Sequence, residues 1–94
     1  MKASLLSEQK LNLLKKDLSE WEVVGTKIIR KWRFKNFIEA FGFLTKVAII
    51  SESMNHHPEI KNVYNALTIE LTTHDAGGIT NLDVELANAI NAIL

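Results

Sequence analysis

The chain has no cysteine, one proline and one tyrosine. Without cysteine, it can form neither a disulfide framework nor a zinc site built from thiolates. Its longest uninterrupted apolar run covers only residues 47–50, which is far too short to cross a bilayer. The first residues carry charged and amide side chains before any apolar segment develops, unlike a secretory signal. The sequence therefore predicts a cytoplasmic protein with no membrane contact.

The composition is that of one globular domain over residues 1–94, because 47% of the residues are hydrophobic and 23% are charged. The net charge is zero, yet nine of the eleven basic residues lie before residue 36. One basic cluster is typical either of a nucleic-acid surface or of the solvated side of a strand: Lys27, Arg30, Lys31, Arg33 and Lys35. No nucleic-acid motif or aromatic stacking pattern accompanies it, so we expect a solvated strand and no direct nucleic-acid partner.

The periodicity of apolar residues predicts seven elements. They are a helix over residues 8–17, strands over 21–24 and 27–34, a helix over 37–54, a strand that includes 63–64, a strand over 67–72 and a last helix after residue 80. Ser7, Asn36 and Thr80 are the helix caps, and residues 25–26 and 65–66 are the hairpin turns. The order α-β-β-α-β-β-α predicts an α+β fold, with three helices packed on one face of a four-stranded antiparallel sheet.

The helix predicted over residues 37–54 carries apolar side chains nearly all around its axis. A helix that lies on one sheet buries only one stripe, so the remaining apolar surface predicts an interface. We expect a homotetramer, with a dimer as the alternative, in which Phe43, Val47 or Ile50 faces outward.

All three histidines of the chain, His56, His57 and His74, lie within one stretch of its second half. A helix end and a strand end can converge in this fold, which would bring the three imidazoles together beside Tyr64. Histidine ordinarily changes its protonation state near neutral pH, as general acid–base catalysis requires. The structural alternative is a helix-end histidine paired with Glu52 and a polar residue that closes a strand.

Two further interpretations concern a carboxylate partner for the histidines and a metal site formed by them. Glu52 precedes His56 by four residues and predicts a carboxylate that orients this ring. Three histidines and a carboxylate could also ligate zinc. Adjacent histidines in an extended segment point apart, however, and the H-x-x-x-H spacing of a helical zinc site is absent. We therefore expect no metal.

One spaced pattern covers the histidine stretch: Glu52-x3-His56-His57-Pro58-x5-Tyr64-x9-His74-x8-Asp83. It resembles the signature of the pterin-4a-carbinolamine dehydratases. Residues 34–37 and 40–48 are similar to the second strand and central helix of that family, and residues 62–65 and 71–74 to its second hairpin. The family often has an aspartate where this chain has Asn55 and an aromatic residue where it has Ile60, so one possible negative charge is lost here.

The resemblance implies a hydro-lyase of tetrahydrobiopterin recycling that needs no cofactor. Its substrate would be a tetrahydropterin with a hydroxyl on C4a, and loss of water would give quinonoid dihydropterin. The resemblance assigns His56 and His74 to acid–base catalysis and His57 mainly to substrate binding. It also implies a group that binds or orients substrate: Glu52, Asn55, Pro58, Tyr64 and Thr73. Dimers with sheets joined edge to edge, and tetramers with central helices packed between dimers, are implied as well.

A non-catalytic function is the alternative. Some members of the family resemble coactivators that bind the dimerisation segment of a homeodomain transcription factor through the central helix, and others are assembly or accessory proteins. No feature of this sequence is specific to such a transcription-factor partner.

Asp83 has a second, local interpretation. It follows Thr80 by three residues, the spacing of a capping box at the start of the last helix. We therefore predict a structural role for Asp83, with Asp83→Asn leaving turnover nearly unchanged.

Overall fold

The computed structural model describes residues 2–94. Three helices and four strands follow the predicted order: α1 (Glu8–Asp17), β1 (Glu22–Val24), β2 (Lys27–Arg33), α2 (Phe37–Met54), β3 (Glu59–Val63), β4 (Ala66–Leu71) and α3 (Asn81–Ala92). A short 3-10 turn, His74–Ala76, follows β4. The predicted α+β fold is confirmed.

Side-chain caps fix where the helices begin. Ser7 accepts a hydrogen bond from the amide of Lys10, and Asn36 accepts one from the amide of Glu39. Both caps satisfy amide groups that have no partner within the helix. As a result, α1 and α2 have the bounds that the sequence predicts.

The four strands form one antiparallel sheet in the order β1-β2-β4-β3. On one face, Ile28 lies opposite Leu71, and Ile69 lies between Arg30 and Ile60. This face packs against the helices, and its central residues Ile28, Ile69 and Leu71 are fully buried. The other face is open and carries most of the charged side chains of the strands. β1 and β3 are the edges of the sheet.

Most of the basic cluster lies on this open face, as predicted for a solvated strand. Lys27 and Lys31 alternate there with helix-facing residues, and Lys27 donates to Glu70 at 2.6 Å. Arg30 differs, because its side chain lies on the helix side of β2. There it donates to Oδ1 of Asn91 at 2.7 Å and stacks over the ring of Trp32.

The predicted bounds of the second hairpin are wrong. β3 begins at Glu59, four residues before the predicted third strand, and the turn is Tyr64–Asn65 rather than residues 65–66. Because β3 is an edge strand with Glu59 and Lys61 on the open face, its hydrophobic alternation is weak. Tyr64 adopts a positive φ of 52°, a conformation that aromatic residues seldom adopt. A tyrosine at this position therefore does not indicate a turn in the sequence.

The amino-terminal segment before α1 lies against the segment that leads into α3. The amide of Leu6 donates to the carbonyl of Ile79 at 3.0 Å, and the amide of Ser4 donates to Oδ1 of Asn81 at 2.7 Å. Gly78 is buried there, and a Cβ at this position would lie 3.2 Å from Cδ2 of Leu5. The two segments are therefore closely packed.

The outer face of α2 differs from the predicted one. Phe43 and Val47 are buried in the core and Ile50 is half-buried, so none of the three points fully to solvent. The exposed apolar residues of α2 are instead Phe37, Ile38, Phe41 and Ile49. Within residues 2–94, no helix combines the length and apolar character that a membrane crossing requires.

Candidate active site

The carboxyl end of α2 turns the chain so that His56 points into the protein. Asn55 has a left-handed conformation, with φ 51° and ψ 41°. The amide of His56 donates to the carbonyl of Ser51 at 3.1 Å, which is the hydrogen bond of a Schellman motif. Asparagine tolerates this conformation better than most residues. Asn55 therefore serves as the left-handed cap of α2, and its backbone conformation orients His56.

His56 forms a buried pair with Asp83. Its Nε2 lies 2.6 Å from Oδ1 of Asp83, and the two side chains are 10% and 0% exposed. Asp83 comes from the first turn of α3, so the pair joins the end of α2 to the start of α3. A buried carboxylate costs free energy unless its oxygen atoms are paired, and this pairing makes Asp83 part of the histidine site.

The second carboxylate oxygen of Asp83 is also satisfied. Oδ2 accepts from the amide of Thr80 and from Oγ1 of Thr73, each at 2.9 Å. Since the hydroxyl proton of Thr73 goes to Asp83, the 2.7 Å contact between the two threonine hydroxyls has Thr80 as its donor. The predicted capping box of Thr80 and Asp83 is confirmed. The prediction that Asp83 is only a cap is not supported, because the same carboxylate holds His56.

The remaining nitrogen of His56 is accessible. Asp83, as a carboxylate, accepts a hydrogen bond from Nε2–H of His56, so Nδ1 is the ring nitrogen that this pair leaves free. Within residues 2–94, Nδ1 forms no hydrogen bond, and Nε1 of Trp32 is the single buried side-chain atom without a partner. Nδ1 therefore has no hydrogen-bond partner within the described residues and is not fully buried, although the side chain as a whole is only 10% exposed.

Glu52 orients His57 rather than His56, contrary to the prediction. Nε2 of His57 lies 2.7 Å from Oε1 of Glu52, and both side chains are exposed. The Schellman motif is the reason, because it turns His56 inward and leaves His57 on the surface next to the last turn of α2. Pro58 follows and restricts His57 to an extended conformation.

The pairing of β3 with β4 brings the third histidine to the same end of the sheet. Glu59 lies opposite Glu70 at the last pair of the ladder, so the residues that precede β3 and those that follow β4 lie at the same end of the sheet. His74 is exposed on the 3-10 turn that Gly77 ends with φ 77°. His74 follows Thr73, whose hydroxyl donates to Asp83 at 2.9 Å, so the backbone of His74 lies close to the pair of His56 and Asp83.

Most of the residues predicted for the site lie at this end of the sheet, and Tyr64 does not. β3 is five residues long, and at about 3.3 Å per residue it separates Tyr64 from the histidines of its own chain by roughly 17 Å. From the sequence, Asp83 and Thr80 are predicted only as a capping box, whereas the structure also brings Asp83 against His56. The signal for Asp83 is its place in the spaced pattern, a position that the capping box also explains.

Three surface grooves of the chain are not lined by any histidine, although the one on α2 includes Glu52, the partner of His57. One of about 390 Å³ lies between α1 and α3, one follows the outer face of α2, and one lies beside the carboxyl end of α3. None of these grooves is lined by His56, His57 or His74. No group of three or more histidine, aspartate or glutamate side chains suited to a metal ion occurs in residues 2–94.

The fold and the site together define a small α+β protein with a buried histidine–carboxylate pair. The family model of pterin 4 alpha carbinolamine dehydratase matches residues 4–93, and the chain belongs to this family. A protein of Prochlorococcus marinus, named as a candidate pterin-4-alpha-carbinolamine dehydratase, is 55% identical over 93 residues, which are 99% of this chain and 97% of the relative.

Two solved structures share the fold. A transcriptional coactivator/pterin dehydratase of Brucella melitensis superposes with a TM-score of 0.91 at 38% identity, over 96% of this chain and 98% of that one. A pterin dehydratase-like protein identified as a RuBisCO assembly factor in the alpha-carboxysome has a TM-score of 0.63 at 19% identity, over 78% and 84% of the two chains. The second likeness concerns the fold alone.

Proposed function

We propose that this protein is a cytoplasmic hydro-lyase that dehydrates 4a-hydroxytetrahydropterin to quinonoid dihydropterin, in the recycling of tetrahydrobiopterin. The observation that supports this most is the buried pair of His56 and Asp83, which occupies one imidazole nitrogen and leaves the other without a hydrogen-bond partner. The name of the Prochlorococcus relative agrees with the proposal.

The reaction needs two proton transfers and no change of oxidation state. The C–O bond at C4a breaks, and the hydroxyl leaves as water after a general acid protonates it. A general base removes the proton from N5, and the electron pair of that N–H bond forms the C4a=N5 double bond. Both tasks suit imidazoles, which donate and accept protons near neutral pH. No cofactor is required.

We assign the two transfers to His56 and His74. Asp83 fixes the tautomer and orientation of His56, and the hydroxyl of Thr73 supports Asp83. His57 is exposed and held by Glu52, so it is placed to bind the substrate at the mouth of the site. Asn55 and Pro58 flank the adjacent His56 and His57 and shape the backbone on either side of them.

The experiment that tests the proposal is direct. The purified protein is mixed with 4a-hydroxytetrahydropterin generated by an aromatic amino acid hydroxylase, and formation of quinonoid dihydropterin is followed by its absorbance. We expect a first-order rise well above the rate without protein. A rate equal to that of the protein-free control would reject the enzymatic function.

We predict that the activity needs no metal. The proposed steps are proton transfers between histidines and substrate, so treatment with EDTA followed by gel filtration should leave kcat and KM unchanged. Added zinc should not increase the activity of the treated protein. A loss of activity in EDTA that zinc reverses would contradict the prediction and reassign the histidines as ligands.

We also propose that the chain forms a homotetramer in which the exposed face of α2 packs against another copy. Phe41 and Ile49 are 53% and 65% exposed on this face, and apolar helix surface of this kind usually marks an interface. A non-catalytic partner could use the same face, but self-association accounts for it without a second protein.

Glutamate at this face should reduce the assembly. We expect Phe41→Glu and Ile49→Glu to lower the sedimentation coefficient from that of a tetramer to that of a dimer, because a charge would be buried between helices. The matched control is Leu13→Glu, which places the same charge on the 54% exposed Leu13 of α1. Wild-type protein that sediments as a monomer at micromolar concentration would contradict the proposal.

A further inference from the structure

The open face of the sheet carries three basic side chains close to the turn between β3 and β4. Lys31 of β2 and Lys61 of β3 both lie directly opposite Thr68 of the inner strand β4. Arg33 lies two residues beyond Lys31 on β2, so it is on the same face of the sheet. All three basic side chains are exposed. Lys31, Arg33 and Lys61, with Thr68 between the two lysines, form what we call the cationic patch.

The charges of the cationic patch are not compensated by the protein. None of the three ion pairs within residues 2–94 includes Lys31, Arg33 or Lys61. Lys27 on the same face differs, because Glu70 holds its ammonium group at 2.6 Å. The guanidinium of Arg33 forms one long hydrogen bond, of 3.4 Å, to a side-chain oxygen, and it has five N–H groups in all. Three positive charges are therefore available to an anion.

The architecture of the sheet explains only one of the two lysines. Lysine on an edge strand discourages pairing with other chains, and this suits Lys61 on the edge strand β3. Lys31 lies on the inner strand β2, where there is no edge to protect. Two ammonium groups on either side of Thr68 also repel each other unless an anion lies between them. The arrangement is therefore better explained by a negative group that both lysines bind.

The floor of the cationic patch provides a hydrogen-bond donor. Neighbouring strands are about 4.8 Å apart, so the Cα atoms of Lys31 and Lys61 are about 10 Å apart with Thr68 midway. The four-carbon stem of lysine lets both ammonium groups reach an anion above Thr68. The side chain of Thr68 is half-buried, and its hydroxyl forms no hydrogen bond in the part of the chain that the structure describes. This hydroxyl can donate to an oxygen atom of the anion.

The carboxylates of the neighbouring row favour a compact anion. Glu59 and Glu70 lie opposite each other on the same face, two residues from the row of Thr68 and roughly 7 Å from it. A nucleic acid or an acidic peptide that follows the strands would pass over these carboxylates and be repelled. A single phosphate group avoids them. Arginine binds phosphate with two parallel N–H groups, and lysine binds it as a point charge.

The row on the other side of the cationic patch is apolar. Ala66 lies between Arg33 and Val63 on the open face, and Val63 is 61% exposed. The small side chain of Ala66 leaves room beside the position of the phosphate, and Val63 provides apolar surface next to it. An organic group attached to the phosphate would remove this surface from water. A phosphate monoester therefore fits better than free phosphate.

We infer that the cationic patch is a binding site for a phosphate monoester, whose phosphate lies above Thr68 and whose organic group lies over Ala66 and Val63. This site is separate from the histidines. Lys61 follows His57 by four residues, which is roughly 13 Å along an extended strand. The inference therefore goes beyond the dehydratase activity and does not depend on it.

Titration of the isotopically labelled wild-type protein, followed by NMR, tests the site with phenyl phosphate as the probe. We expect shift changes that are confined to the amides of the cationic patch and of residues 63–66, and binding that is several-fold tighter than that of inorganic phosphate. Phenyl phosphate that binds no tighter than inorganic phosphate would overturn the assignment to a monoester. A short oligothymidylate that binds more tightly than phenyl phosphate would overturn the assignment to a compact anion.

Substitutions in the cationic patch test which side chains bind the phosphate. Lys31→Gln and Lys61→Gln should each weaken the binding of phenyl phosphate about tenfold, because each removes a charge-assisted hydrogen bond. Lys31→Arg should retain the affinity, and Thr68→Val, which keeps the shape of the side chain, should lower it. The matched control is Lys16→Gln on α1, the same change at another exposed lysine, which should bind as the wild type does.

The outcomes separate this inference from the proposed function. The substituted side chains lie on the open face, so the variants should keep the Tm and the dehydratase activity of the wild type. An inactive wild-type protein that binds phenyl phosphate at the cationic patch would reject the enzymatic function and keep the inference. Folded Lys31→Gln and Lys61→Gln variants that bind like the wild type, or a Lys16→Gln variant that is weakened equally, would overturn the inference.

Discussion

We expect His74→Ala to lose about 10²–10⁴-fold in kcat while the fold stays intact. The side chain of His74 is exposed on the 3-10 turn and contributes little to packing, so its removal should not lower Tm. The expected loss corresponds to about 3–5 kcal/mol of transition-state stabilisation. Single-turnover kinetics with the carbinolamine and a thermal melt of the same sample would measure both quantities.

Asp75 offers the matched control for this experiment. It is the next residue of the same turn and is also exposed. Asp75→Ala should leave kcat within a factor of about two, because surface substitutions away from a site have small effects. A His74→Ala variant with the turnover of the wild type would remove His74 from the mechanism and leave His56 to perform both transfers.

We expect Asp83→Asn to reduce kcat by a similar factor of about 10²–10⁴, in contrast to the effect that the capping box alone predicts. The expected loss follows from the hydrogen-bond donors around Asp83 and from the single oxygen of the asparagine side-chain amide. The side of Asp83 that faces Thr73 and Thr80 receives two donors, so the oxygen of Asn must stay there. Its NH₂ group would then face Nε2 of His56, which must give up its proton. Nδ1 would carry the proton instead, and the accessible nitrogen would lose its role as acceptor.

Two measurements distinguish this tautomer effect from a structural one. The free energy of unfolding of Asp83→Asn should fall by only about 1–3 kcal/mol, the cost of weakening one buried hydrogen bond. In the double variant with His56→Ala, the loss of kcat should be no greater than in His56→Ala alone, because Asp83 acts through His56.

The control for Asp83→Asn is Glu85→Gln, the same change on an exposed carboxylate of α3, which should retain full activity. Additive losses in the double variant would show that Asp83 affects turnover independently of His56, and an Asp83→Asn variant with normal turnover would return Asp83 to a purely structural role.

Strong local signals account for what could be predicted from the sequence. Ser7 and Asn36 mark helix starts that the structure reproduces, and the alternation of Leu67, Ile69 and Leu71 identifies β4. β3 was misplaced because an edge strand needs little apolar alternation. The outward residues of α2 could not be identified, since apolar side chains surround the helix and only the tertiary structure shows which of them pack on the sheet.

The candidate site, like the fold, could be predicted only in part from the sequence. The three histidines and their common location follow from the sequence, but their partners do not. The left-handed conformation at Asn55 turns the chain between His56 and its predicted partner Glu52, so the carboxylate next in sequence binds His57 instead. The carboxylate that holds His56 lies 27 residues further along the chain. Pairings over such distances depend on how α2 and α3 meet, which periodicity does not report.

The contact between the amino-terminal segment and the start of α3 has a consequence for local unfolding. Residues 4–6 are tied to Ile79 and Asn81, directly next to Thr80, whose amide and hydroxyl support Asp83. Opening of this segment would leave α1 and the core sheet largely in place, yet it would uncover the first turn of α3. This segment belongs to no helix or strand of the sheet, and it is thereby linked to the carboxylate that holds His56. Local opening of residues 4–6 is a route by which the pair of His56 and Asp83 can lose its order while the rest of the protein remains folded.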